Sequence, residues 1–157
     1  MNLLLAVDDS HFSEVAANEV AARPWPSGTV VRVLSVAPAM LGTPVAGIPV
    51  AGALEPTGGL TGAFEARTEL LETSNRLVQR VADRLRAAEL QVDTMVREGD
   101  AGSGIIAEAE SWPADLIVVG SHGHTGLKRL LLGSVAHYVT NHAPCSVEVV
   151  RLRRTQH

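Results

Sequence analysis

A chain of 157 residues, 46% of them hydrophobic and 19% charged, is long enough for one core that buries roughly 70% of the unfolded surface, and it is too apolar to be disordered. A formal charge of −4 and an aromatic share of 3% argue against a nucleic-acid binder, which needs concentrated Lys and Arg and aromatic platforms. No apolar run reaches the roughly 18 residues of a membrane span, and residues 1–7 have neither the basic start nor the length of a signal peptide, so a cytoplasmic protein is expected. The single Cys145 cannot form an internal disulfide, which agrees with a reducing compartment. The short basic clusters Lys128-Arg129 and Arg151 with Arg153 and Arg154 read as a solvated face and a terminal tail.

In chain order, residues 3–7 form an apolar run closed by Asp8, Asp9 and Ser10, a compact first strand followed by residues that favour turns and helix caps. Ser10 or Asp9 is placed to cap a helix over 13–22, which Pro24, Pro26 and Gly28 stop. Residues 29–36 make a second strand, so the opening is a βαβ unit with a right-handed crossover. Residues 38–63 change character: Pro38, Pro44, Pro49 and Pro56 stand among Gly and Ala with almost no charge, the mark of an insertion. Long connections of this kind are mobile loops, lids or partner surfaces. Met40, Leu41, Val45, Ile48, Val50 and Leu54 make it more apolar than a plain linker.

A long helix is expected over 64–88, with Leu70, Leu71, Leu77, Val78, Val81 and Leu85 inward and Glu72 paired to Arg76 outside. Arg76, Arg80 and Arg84 form a stripe, read as a solvated face. Val92, Thr94 and Val96 alternate with Asp93, Met95 and Arg97, which suits a half-wet strand at a sheet edge. Residues 99–104, rich in glycine, are expected to turn, and a helix runs on from Ile105 to Trp112 and Pro113. Residues 116–119 are continuously apolar, as in a strand buried on both faces of a parallel sheet. A last strand falls over 147–152. The pattern is α/β and doubly wound, and in such a fold ligands sit beyond the C-terminal strand ends where strand order reverses.

The stretch after the fourth strand carries the chemistry. Gly120, Gly123 and Gly126 can take positive φ or admit another group closely. Gly133 and Ser134 open a helix whose first turn offers free N–H groups and a hydroxyl, the arrangement that attracts phosphate. A P-loop does not fit, because Lys128 lies between Leu127 and Arg129, and the even spacing of the glycines does not match a dinucleotide fingerprint. What does fit is Gly120-x2-Gly123-x9-Gly133-Ser134. This motif resembles that of the ATP-binding branch of the universal stress protein family. Val7-Asp8-Asp9-Ser10, Gly99-Asp100 and the segment from His142 to Arg151 are similar to other stations of the same family, so the resemblance spans nearly the whole chain except 38–63.

The resemblance implies a single domain over 1–157 with one five-stranded parallel sheet in the order 3-2-1-4-5, helices on both faces and the adenine nucleotide alpha hydrolase-like fold. It also implies ATP as ligand, with Mg2+ arriving on its phosphates, and a homodimer through the final strand. Glu148 stands where relatives commonly have an apolar residue and suits that dimer only if it meets an arginine across the two-fold axis. Asp8 is expected at the adenosine end, with helix capping as its ordinary alternative, and Ala6, Val7 and Val36 are expected as apolar walls for adenine. Gly120, Gly123 and Gly133 would wrap ribose and phosphates, Ser134 would hold a phosphate oxygen, and Ser121 and Val135 would add backbone donors. His122 and His124 complete the loop around the ligand, His124 where many relatives carry a basic residue. Two loop histidines without a carboxylate or thiolate at ligand spacing make no metal site. Asp9 replaces the family's glycine and is expected to face solvent, and Cys145 reads as a small core filler.

Three functions fit: an ATP-binding regulator that changes shape or partner with occupancy, a slow ATPase or phosphoryl or adenylyl transferase using the same pocket, and a nucleotide-free interaction module working through the insertion. Intact motif glycines favour the first over the third, and the lack of an evident general base weakens the second.

Overall fold

The computed structural model describes residues 1–39, 58–123 and 132–152. Strands and helices alternate along it: β1 (Asn2–Ala6), α1 (His11–Ala22), β2 (Val30–Ala37), α2 (Gly58–Ala87), β3 (Gln91–Glu98), α3 (Ala101–Ser111), β4 (Leu116–Gly120), α4 (Ser134–His142) and β5 (Ser146–Val150). The strands form one parallel sheet in the order β3-β2-β1-β4-β5, as the family resemblance implies. Strand order reverses between β1 and β4, which opens a crevice at their C-terminal ends.

Successive side chains of a strand point to opposite faces, and the core divides accordingly. Leu3, Leu5, Val31, Val33 and Val118 face α1 and α2, where Ala16, Ala17, Val20, Val78, Val81 and Leu85 meet them. Leu4, Leu34, Ile117 and Val119 face α3 and α4, against Ile105, Ala109, Ala136 and Val139. Leu3, Leu4 and Leu5 are all fully buried, which is why residues 3–7 and 116–119 read as unbroken apolar runs. β3 lies at one edge as expected, but exposure alternates only over 91–94: Met95 and Arg97, expected on the wet side, are half-buried, Met95 against the α3–α4 core and Arg97 against Glu108.

Two local expectations need correction. The long helix starts at Gly58, not at 64, so 58–63 belong to it and not to the insertion; the rest of that stretch, 40–57, lies outside the described residues. The turn expected over 99–104 is confined to Gly99 and Asp100. Gly99 takes φ +133, and Asp100 caps α3 by accepting from the Ser103 N–H at 2.8 Å. That bond and the Ser103 hydroxyl hold the Asp100 carboxyl below its usual range. Gly102 and Gly104 are helical, and their missing side chains serve packing: a Cβ would meet the Tyr138 ring at 2.6 Å and Val36 at 3.0 Å respectively.

The arginine stripe of α2 is solvated but tied down. Arg80 pairs with Asp9 at 3.2 Å, and Arg84 reaches Asn18 at 2.9 Å and Glu14 at 3.6 Å. Asp9 is 70% exposed, so its extra charge faces solvent as expected and is matched by a guanidinium there. Such exposed pairs contribute about 0–1 kcal/mol. Cys145 packs at the margin of the α3–α4 core, and burial pushes its thiol up, which suits an inert filler.

Candidate functional site

The crevice is built from three stretches: residues 6–13 leaving β1 and entering α1, residues 120–123 leaving β4, and residues 133–136 entering α4. The first is a closed hydrogen-bonded ring. The Asp8 N–H donates to Ser13 Oγ at 2.8 Å, the Ser13 N–H donates to Ser10 Oγ at 3.2 Å, and the Ser10 hydroxyl donates to Asp8 Oδ1 at 2.5 Å. The Ser10 N–H also donates to Oδ1, at 3.2 Å, an Asx turn in which the aspartate bonds its own backbone two residues on. The helix cap is therefore Ser10, and Asp8 is left for another task. Its second oxygen, Oδ2, faces Gly123: a Cβ built there would lie 2.7 Å from it.

The second and third stretches lock together. The Gly133 N–H donates to Ser121 O at 2.7 Å, and a Cβ on Gly133 would lie 3.1 Å from His122 Cα and 3.2 Å from Ser121 O. Neither Gly133, at φ −68, nor Gly120 or Gly123 has positive φ; among the described residues only Gly28, Gly99 and Glu89 do. The motif glycines thus work by close approach and not by conformational freedom. Gly120 does so with the main chain of α1, where a Cβ would meet Phe12 C at 2.8 Å.

α4 begins without a side-chain cap or an acidic residue in its first turn, and its first intrahelical bond is His137 N–H to Gly133 O at 2.9 Å. The N–H groups of Ser134, Val135 and Ala136 precede that bond and form the positive pole of the helix dipole. Ser134 and Val135 are exposed there. α1 differs, since Asp8, Asp9 and Glu14 crowd its N-terminus. The crevice therefore has an acceptor pole at Asp8 and a donor pole at Ser134.

The remaining expected residues divide. Ala6 and Val36 are half-buried and lean on the α3–α4 core. Val7 is 6% exposed, with its side chain in the opposite core cluster, so its side chain does not wall the crevice and only its main chain can line it. The Ser121 N–H, expected as a donor to ligand, is instead bonded to Val150 O at 2.8 Å, and the side chain is buried. His122 is half-buried between Ser121 Oγ, 3.1 Å from its Nδ1, and the Phe12 ring at 5.0 Å. His124 lies outside the described residues, as do Gly126, Lys128 and Arg129. Among the described residues no three of His, Cys, Asp and Glu are grouped to hold a metal. Sequence reasoning missed the part of Ser13 and the bond from Ser10 to Asp8, although Asp-x-Ser is the spacing an Asx turn needs.

At the sheet edge, Glu148 of β5 takes a bidentate pair from Arg23 at 2.6 and 2.7 Å. The arginine that Glu148 meets is thus in its own chain, and not across a two-fold axis as the expectation for the dimer requires. That guanidinium holds the Glu148 carboxyl below its usual range.

The family model described as universal stress protein family matches residues 1–151. A universal stress protein of Methanocaldococcus jannaschii is 40% identical over 91 residues, 57% of this chain and 54% of that protein. The chain spans about half the length of the curated relatives it matches. Among solved structures, the hypothetical protein MJ0577 superposes with a TM-score of 0.80 at 24% identity, over 98% of this chain and 97% of that one. A universal stress protein family protein from Arabidopsis thaliana with AMP bound superposes with a TM-score of 0.66 at 14% identity, over 98% and 93%.

Proposed function

The chain belongs to the universal stress protein family, and on that premise we propose that it is an ATP-binding regulatory protein whose occupancy of the β1–β4 crevice tunes conformation or partner choice. The observation that carries this reading is the polarity of the crevice. At one pole an aspartate pinned through Oδ1 turns Oδ2 toward Gly123, an acceptor for ribose hydroxyls. At the other, an uncapped helix start offers N–H groups and the Ser134 hydroxyl to phosphate. Ala6 and Val36 are the apolar surface for adenine, with the main chain of Val7 beside them, and Gly123, Gly133, His122 and Val135 border the phosphates. AMP in the Arabidopsis neighbour supports an adenine nucleotide as the ligand class. Mg2+ would come with ATP and would neutralise charge on its phosphates.

We propose binding without efficient turnover, a reading that the geometry of the described residues supports. Phosphoryl transfer needs an oriented nucleophile and charges aimed at the transferring group, whereas Asp8 Oδ1 is tied to Ser10 and its Oδ2 is assigned to the ribose, and α4 has no acid in its first turn. Calorimetric titration of the purified protein with ATP is expected to give a dissociation constant on the order of 1 μM, about −8 kcal/mol, with ATP recovered intact afterwards. No saturable heat at millimolar ATP would overturn the reading. Hydrolysis at about 1 s⁻¹ or faster, within the ordinary enzyme range, would replace it with the enzyme alternative.

We further propose a homodimer through β5 and a cytoplasmic setting. β5 is an edge strand whose outer N–H and C=O groups can pair with a two-fold copy, and Arg23 neutralises Glu148 beside that edge. Sedimentation at micromolar concentration should show the dimer; a monomer would refute this mode of assembly.

A further inference from the structure

The hydrogen-bonded ring at the head of α1 does more than cap a helix. Ser10 is 6% exposed and Ser13 5% exposed, so neither hydroxyl exchanges freely with water, and both are engaged in the ring. Ser10 Oγ accepts from the Ser13 N–H and donates to Asp8 Oδ1, while Ser13 Oγ accepts from the Asp8 N–H. The Asp8 carboxylate is thereby held at its backbone end and at one oxygen. Two donors from Ser10 converge on Oδ1, at 2.5 and 3.2 Å. A carboxylate whose Oδ1 is fixed in this way has its Oδ2 fixed as well, and that oxygen borders Gly123 at the mouth of the crevice.

We propose that Ser10 is a positioning residue for ligand selection: by holding Asp8 Oδ1 it commits Oδ2 to accept a hydrogen bond from a sugar hydroxyl, so that the site selects ribonucleotides over nucleotides lacking the 2′ and 3′ hydroxyls. This inference rests on the nucleotide reading above. Its physical basis is preorganisation. An aspartate free to rotate loses rotamer entropy when it meets a hydroxyl, and it can turn away from a ligand that has none. A pinned carboxylate gains more from the ribose and cannot escape the deoxygenated sugar, which leaves the charge without the partner it faces.

The test compares ATP with 2′,3′-dideoxy-ATP by calorimetry on the full chain, for the parent and for Ser10→Ala, Ser10→Gly and Ser10→Thr. The parent is expected to prefer ATP by about 30-fold, the size of a hydrogen bond to a charged group. Ser10→Ala and Ser10→Gly should reduce the preference to about threefold or less, with dideoxy-ATP affinity nearly unchanged. Ser10→Thr, which keeps the hydroxyl, should restore it. Glycine is itself a tolerated helix cap, so Ser10→Gly separates loss of the hydroxyl from loss of the fold. A general loosening of α1 would weaken both ligands together and leave their ratio unmoved. A parent-like ratio in Ser10→Gly, or equal binding of both nucleotides by the parent, overturns this inference and leaves the nucleotide reading standing. Failure of the parent to bind either nucleotide overturns both.

Discussion

Glu108→Ala should lower the unfolding free energy by about 3 kcal/mol, the lower end of the range for breaking a buried ion pair from one side, and with it the melting temperature by roughly 10 °C. The Glu108 side chain is 1% exposed and accepts from two guanidiniums, Arg32 Nη1 at 2.9 Å and Arg97 Nε at 2.5 Å. Arg32, at 18% exposure, has its guanidinium carbon over the Trp112 ring at 4.4 Å and also reaches Asp93 at 3.1 Å, while its Nε is buried without a hydrogen-bond partner. Removing the carboxylate would leave Arg32 largely desolvated and short of an acceptor. Arg97 remains 35% exposed and can turn to water, which is why the lower end of the range is expected. The net contribution of the network is smaller than that loss, because taking the Glu108 carboxylate and most of the Arg32 guanidinium out of water offsets much of their attraction. Replacing all three together, as Arg32→Met, Arg97→Leu and Glu108→Leu, should therefore cost far less than Glu108→Ala alone. Urea unfolding of both variants checks the pair of claims, and a Glu108→Ala loss under about 1 kcal/mol would refute the first.

That cluster also marks where the sequence was legible and where it was not. Ile105, Glu108, Ala109 and Trp112 follow the i, i+3, i+4, i+7 spacing of one helix face, so a carboxylate on the apolar stripe was visible. Arg32 likewise interrupts the run of valines in β2. What no single element discloses is that the two positions meet, since that depends on how α3 lies across β2 and β3. The strands were legible because burial on both faces writes itself as unbroken apolar runs, and the crevice followed from the fold rule once strand order was known. The glycines were read less well. Periodic glycine suggests backbone freedom, yet Gly102, Gly104 and Gly120 are there because Tyr138, Val36 and the main chain of Phe12 occupy the place of a side chain, a tertiary reason that local sequence does not carry. Ser121 was assigned a ligand-facing N–H for the same reason: its bond to Val150 O exists only once β5 is beside β4.

Gly123→Val should weaken ATP binding by about 100-fold while leaving the fold near its parent stability. The argument turns on which atom the new side chain meets. Gly123 is not among the positive-φ residues, so valine can adopt its backbone and the lesion is steric. Its Cβ would stand 2.7 Å from Asp8 Oδ2, well inside contact distance. A free aspartate would rotate away at little cost, but Oδ1 is held by the Ser10 N–H and hydroxyl. Either Asp8 swings out and gives up both bonds together with its acceptor role, or residue 123 shifts and disturbs the approach of Gly133 to 121–123. Losing one hydrogen bond to a charged group is worth about 1.5–3 kcal/mol, and tenfold in affinity corresponds to about 1.4 kcal/mol, so the upper end of that range gives the expected loss before any branched methyl enters the phosphate space. The same carbon added at Gly120 would instead meet the Phe12 main chain, which cannot yield, so that substitution should damage the fold and not the site alone. Thermal melting separates the two cases, and a well-folded Gly123→Val protein that binds ATP within about threefold of the parent would remove Asp8 and Gly123 from the ligand.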